Sequence, residues 1–195
     1  MLITVEGLDG AGKTTLVSAL AAELSKRGPV VVLREPGGVE LSERIRDLLK
    51  DPALEIHPRA EALLYAAARA QLVAEQLRPL LDAGTTVLLD RFVDSSLAYQ
   101  GIARGLGVEE IRALNDFGTG GLTPDRTLLL RIDPQRGLAR ISDRPADRLE
   151  QEGIAFFAAI AEAYDALAAA EPGRIVVIDA AQPPDSVLAD ALAAL

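Results

Sequence analysis

A chain of 195 residues, 49% apolar and 25% charged, suits one globular domain with a sizeable core. It has no cysteine, which excludes disulfides and thiolate metal sites, and its net charge of -9 argues against broad electrostatic binding to nucleic acid or anionic membrane. No apolar run approaches the length of a membrane-spanning helix, and the first residues read as strand rather than as a charged leader with an apolar core, so a cytoplasmic protein is expected.

The chain opens with LITVE, Leu2 to Glu6, apolar and β-branched as a buried strand should be. GLDGAGKT follows at Gly7 to Thr14 and fits G-x-x-x-x-G-K-[ST], a loop whose backbone N–H groups cradle phosphates. Its lysine reaches the β and γ phosphates and its hydroxyl holds Mg2+. The segment after it has apolar positions at helical spacing up to Gly28. Strand, glycine loop and helix are the context this chemistry needs, because the helix start aims unpaired N–H groups and the positive end of its dipole at the anion.

PVVVLRE, from Pro29 to Glu35, is a second buried strand, and PGGVELSERIRDLLKD gives a loop and a short helix. Ala60 to Ala83 has the period of one long helix, with Pro79 as a kink or break near its end. TTVLLD, Thr85 to Asp90, is the third strand; RFVDSSLAYQGIARGLG opens as a helix and runs into a loop; Val108 to Phe117 is a further helix. DRTLLLRID, Asp125 to Asp133, is the fourth strand. PQRGLARISD is helical in pattern up to Pro145, and Leu149 to Ala170 is a long alanine-rich helix. RIVVID, Arg174 to Asp179, is the fifth strand, and a last helix closes the chain. The alternation predicts an α/β fold of the phosphate-loop NTPase type, with a five-stranded parallel sheet and helices on both faces.

Asp90, at the carboxyl end of the third strand, stands where phosphate-loop enzymes place a group near Mg2+, and Arg91 puts a cation beside it for a second phosphate-bearing substrate. Neither an N-K-x-D guanine reader nor a D-x-x-G switch is in place, nor an LSGGQ-like segment, which leaves a small-molecule phosphotransferase. A kinase for nucleosides and an ATP-binding regulator that transfers nothing stay open as alternatives. His57, in a proline-flanked loop, is expected to be structural.

EGLDGAGKTT, REPGG (Arg34 to Gly38), YAAARAQ (Tyr65 to Gln71), DRFVDSSLAYQG (Asp90 to Gly101) and DRLEQE (Asp147 to Glu152) together resemble the thymidylate kinase family, in order over nearly the whole chain. The resemblance implies transfer of the γ-phosphoryl group of ATP to dTMP with Mg2+, in one domain spanning residues 1–195, with a lid at about 135–150. It also implies a homodimer, and it suggests neither a nucleic-acid nor a membrane partner. The ATP site would comprise Gly7, Leu8, Asp9, Gly10, Ala11, Gly12, Lys13, Thr14 and Thr15, with Arg140 and Arg144 from the lid. Thr14 and Asp90 would hold the metal.

For dTMP, Asp9 matches a carboxylate that contacts the 3′-hydroxyl, and Arg91 and Arg46 match arginines on the acceptor phosphate, with Arg34 a weaker candidate. Pro36 resembles a proline that shapes the loop beside that phosphate, a place suited to a cis bond. Tyr65 would stack on thymine, and Arg69, four residues on and so on the same helical face, would read its O4. Ser96, Tyr99 and Gln100 match positions near the base edge and the 2′ carbon, and Gln71 is a lesser helper. Gly10, lacking a positive side chain, marks the bacterial type in which the lid supplies the arginine. Arg136, Arg140, Arg144 and Arg148 recur every four residues there, and Arg140 and Arg148 join Lys13, Asp9 and Arg91 as catalytic candidates.

Overall fold

In the computed structural model, residues 1–143 and 145–195 are described. The strands β1 (Leu2–Gly7), β2 (Val30–Arg34), β3 (Thr86–Asp90), β4 (Arg126–Arg131) and β5 (Ile175–Asp179) form one parallel sheet in the order β2-β3-β1-β4-β5. In register, Val5 lies opposite Asp90 and Gly7 opposite Leu130, so the carboxyl ends of β1, β3 and β4 open on one edge.

The helix α1 (Lys13–Leu24) carries the chain from β1 to β2, and α9 (Pro184–Ala193) closes the fold beside it. A right-handed crossover places α1 on one face, where α9 packs beside it, and the connections β2 to β3, β3 to β4 and β4 to β5 on the other. Alternation along β3 follows: Leu88 joins the cluster that holds Leu16, Val17 and Leu20 of α1. Val87 and Leu89 join Leu72, Val73 and Leu77 on the opposite side. Each of these buried leucines contributes roughly 2 kcal/mol by leaving water.

Between β2 and β3 lie α2 (Glu40–Lys50) and α3 (Pro58–Leu72), which pack together. His57 is structural: its Nδ1 accepts from Arg59 N at 3.3 Å and caps α3 ahead of a proline in the first turn. The long helix expected over 60–83 is more continuous than Pro79 suggested. After Leu72 the ladder widens into a π turn, Val73–Leu77, where Arg78 N bonds Val73 O, and resumes as α4 (Arg78–Asp82), whose first turn absorbs the proline.

Three other segments differ from their periodicity. DSSLAYQG is α5 (Val93–Ser96) followed by a π segment, Leu97–Ala103, and then α6 (Val108–Thr119). Helix α7 (Pro134–Ala139) stops with Arg140 as its cap and gives way to turns, with Pro145 unable to donate to a continuing ladder. The alanine-rich helix begins only at α8 (Ile154–Ala170), because Gly153, at φ 86°, separates it from the short turn Glu150–Glu152.

Candidate active site

The carboxyl edge of β1 and β3 opens into a cleft of about 620 Å³. The phosphate loop forms its floor. Gly7, at φ 133°, sits so close to β4 that a Cβ would stand 2.4 Å from Leu130 O. Leu8 and Ala11 turn their side chains into the core, whereas Asp9, Gly10, Gly12, Lys13 and Thr14 line the cleft. Thr15 is exposed on α1 and does not line the cleft. Lys13 Nζ curls over the loop to donate to Gly7 O at 3.0 Å and Leu8 O at 2.9 Å. Burial and then the charge of Arg91 push Lys13 down to about 8, against the pull of Asp9, Asp90 and Glu6.

Arg91 leaves β3 with φ at 70°, in the left-handed region that a residue with a Cβ seldom adopts. The turn is pinned by Glu6, which accepts from Phe92 N at 2.7 Å, Ser95 Oγ at 2.5 Å and Tyr164 OH at 2.9 Å. The guanidinium thereby spans the cleft: Nη2 donates to Asp9 Oδ1 at 2.7 Å, Nη1 to Ser95 Oγ at 3.2 Å, and its carbon lies 5.3 Å from the centre of the Tyr99 ring. Although burial works the other way, Arg91 and Lys13 hold the Asp9 carboxyl well below the usual carboxylate range.

On the far wall, Arg69 is buried and each of its three nitrogens donates a hydrogen bond. Nε and Nη2 reach Glu35 Oε2 at 2.7 and 2.6 Å, Nη2 also Phe92 O at 2.9 Å, and Nη1 donates to Ser96 Oγ at 2.8 Å and to Asn115 Oδ1. Glu35 Oε1 is buried without a hydrogen-bond partner among the described residues, and burial, opposed by Arg69, pushes the Glu35 carboxyl up to about 7. Tyr65 lies one turn before Arg69 on α3 and faces the same cleft, with Tyr99 and Gln100 opposite, delivered by the π segment.

The peptide bond Glu35–Pro36 is cis, and Pro36 O accepts from Arg46 Nη1 at 2.8 Å. Arg46 thus points into the cleft; Glu43 instead pairs with Arg34, two-pronged at 3.0 and 2.9 Å, and accepts from Gly38 N. Gln71 bonds Glu75 and stays outside the cleft.

The arginines expected in a lid separate. Arg140 is exposed and donates to Gly10 O at 3.2 Å and to Ala180 O at 3.4 Å, over the phosphate loop. Arg144 lies outside the described residues. Arg148, expected as a catalytic arginine, is instead buried away from the phosphate loop, with Nε on Leu49 O at 2.9 Å and Nη2 2.8 Å from Glu61 Oε2. It does not line the cleft.

Asp90 Oδ1 is buried without a hydrogen-bond partner among the described residues, and Asp90 shares the cleft with the exposed Thr14. One carboxylate and one hydroxyl suit Mg2+, which keeps water and phosphate oxygens for most of its shell. No group of three metal-ligating side chains exists among the described residues to make a protein-only site.

Sequence reasoning passed over Glu6, Glu35, Glu61, Ser95 and Asn115, all buried around the cleft. The available signal was a carboxylate inside an otherwise apolar strand or helix, as in LITVE.

The model of the thymidylate kinase family matches residues 5–191. The thymidylate kinase of Deinococcus radiodurans is 50% identical over 100% of this chain and 96% of its own length, and that of Halalkalibacterium halodurans 49% over 97% and 93%. The crystal structure of thymidylate kinase from Ehrlichia chaffeensis superposes with a TM-score of 0.82 at 31% identity, covering 99% of this chain and 97% of that one.

Proposed function

The chain belongs to the thymidylate kinase family, and on that premise we propose how its own side chains serve the transfer of the γ-phosphoryl group of ATP to dTMP, giving dTDP and ADP on the route to dTTP. The observation that carries the reading is the ion pair between Arg91 and Asp9, 2.7 Å long. It ties a cation at the mouth of β3 to the phosphate loop itself, so two phosphate-bearing substrates are brought to one point.

Lys13 leaves Gly7 O and Leu8 O to meet the donor phosphates, together with the N–H groups of the loop. Arg91 and Arg46 take the acceptor phosphate, and Asp9 accepts from the 3′-hydroxyl of its sugar. Tyr65 stacks on the base, Ser96 and Gln100 meet its edge with Arg69 behind them, Tyr99 fills the space of a 2′-hydroxyl, and Pro36 shapes the loop under Arg46. Arg140 reaches the triphosphate from a lid spanning about 135–150 of a single domain. Arg148, held by Leu49 O and Glu61, anchors the carboxyl side of that lid. Thr14 and Asp90 would hold Mg2+, which when bound would neutralise phosphate charge. The acceptor is already an anion, so positioning and charge neutralisation carry the step without a general base.

A cytoplasmic homodimer is part of the same reading; no helix among the described residues is long and apolar enough to cross a membrane. The paired helices α3 and α6 leave Phe117 90% exposed and Leu63 58% exposed. A second copy covers that apolar face, so Phe117→Asp should sediment as a monomer, and an intact dimer would move the interface elsewhere. For the activity, a coupled ADP assay across nucleoside monophosphates should show dTMP as the preferred acceptor, with AMP, CMP and GMP inactive. Discrimination by the methyl pocket is worth about 1–3 kcal/mol, which leaves dUMP poor but measurable. Equal turnover of AMP, CMP or GMP would overturn the reading.

A further inference from the structure

Gln100 is 2% exposed, and the two ends of its amide have opposite hydrogen-bonding character. Nε2 donates to Glu61 Oε1 at 2.9 Å. Glu61, on α3 one turn before Tyr65, is fully buried, and its other neighbours are also donors: Arg104 Nε and Nη2 at 3.4 and 3.2 Å, and Arg148 Nη2 at 2.8 Å. A carboxylate accepts and does not donate, so the NH2 end of Gln100 is the end that can face it. Gln100 Oε1 is consequently turned away from Glu61. It receives no hydrogen bond among the described residues, and Gln100 lines the cleft.

We propose that Glu61 is a specificity-positioning residue: by locking the Gln100 amide it presents an acceptor, never a donor, to the edge of the base. The inference rests on the reading that Gln100 meets the base of the acceptor nucleotide. Thymine and uracil carry a donor at N3, which an acceptor satisfies. Cytosine carries an acceptor at N3 and meets Oε1 with both lone pairs unpaired, a mismatch that hydrogen-bonding sites reject strongly. Glu61 touches no substrate. Its contribution is to remove the freedom of a terminal amide, whose two ends are otherwise nearly equal in size.

The test is the ratio of kcat/KM for dTMP to that for dCMP. Glu61→Gln keeps the shape but lets residue 61 either donate or accept, so Gln100 can flip; the ratio should fall about 10-fold or more. A general structural defect lowers both substrates together and leaves the ratio in place. Glu61→Gln combined with Gln100→Glu restores one donor facing one acceptor, with an acceptor oxygen left for the base, and the ratio should recover. Arg104→Met removes a charge partner from Glu61 without freeing the amide and should not move the ratio.

A folded Glu61→Gln with a ratio within about two-fold of the natural protein overturns the lock, that margin being the noise of a mutational comparison. Gln100→Leu distinguishes the two levels of the argument. If it too leaves the ratio unchanged, the placement of Gln100 at the base edge fails and the lock with it; if it collapses the ratio while Glu61→Gln does not, the lock alone fails. Should Glu61→Gln not fold, the side-chain amide resonance of Gln100 in the natural protein decides, identified by its absence in Gln100→Leu. Slow solvent exchange of that amide supports the lock, and exchange at the free rate overturns it.

Discussion

Gly10 is the point at which α7 meets the phosphate loop, and replacing it with alanine asks whether lid and loop form one packing unit. Its φ of 78° is left-handed, which costs a residue with a Cβ about 1–2 kcal/mol. A Cβ there would also stand 2.0 Å from Gly137 O on α7, and overpacking of this kind costs about 1–3 kcal/mol. Gly12 separates the two effects, because its φ is 94° but a Cβ would meet nothing within 4 Å. In urea unfolding, Gly12→Ala should therefore lose about 1–2 kcal/mol and Gly10→Ala about 2–5 kcal/mol. Gly137→Ala approaches the same contact from α7, with its Cβ 2.8 Å from Asp9 O. There the crowding is offset by about 1 kcal/mol of helix propensity, so stability should change little. Turnover should not be spared, since a shift of about 1 Å in α7 moves Arg140 and can lower kcat about 100-fold. Equal stability of the Gly10→Ala and Gly12→Ala proteins, together with normal kcat in Gly137→Ala, would refute the contact. The same contact leaves no room for a bulky side chain at position 10.

Arg140→Ala removes an exposed side chain bonded to two carbonyl oxygens, so unfolding should shift by no more than about 0.5 kcal/mol while kcat falls about 1,000-fold; a stability loss with near-normal kcat would end its proposed role. Arg148→Ala should do the reverse, leaving a fully buried Glu61 with Arg104 as its remaining guanidinium, a loss of up to about 3–5 kcal/mol by thermal unfolding. Glu35 gives a pH signature. Its carboxyl is raised from 4.5 to about 7, so the stability that its protonated form contributes is complete below 4.5 and is lost as pH rises through 7. Between pH 5 and 8, natural protein should lose about 1–3 kcal/mol more than Glu35→Gln in urea titrations; parallel pH profiles would count against a buried, titrating Glu35.

Three buried carboxylates share one architectural job around the cleft. Glu6 pins the turn that aims Arg91, Glu35 holds Arg69, and Glu61 holds Gln100 and Arg148. A buried charge is tolerated only where donors surround it, and here those donors include Arg69 and Gln100, which line the cleft. Rigidity at these groups limits the reorganisation that binding and transfer require.

The phosphate loop, the five strands and their order along the chain were legible from residues near one another: glycines at fixed spacing, β-branched runs and helical periods. Asp90 and Arg91 were legible as well, because the end of a buried strand is a local signal. The tertiary structure decided the rest. Glu6 meets Ser95 and Tyr164, partners 89 and 158 residues away, and no periodicity carries information over that distance. Arg140 and Arg148 look equivalent in sequence, with the same residue type at a helical multiple of spacing. Only the turns after Ala139 place one over the phosphate loop and bury the other against Glu61. A side chain's chemistry is set by its type, but its charge environment is set by what the fold packs around it.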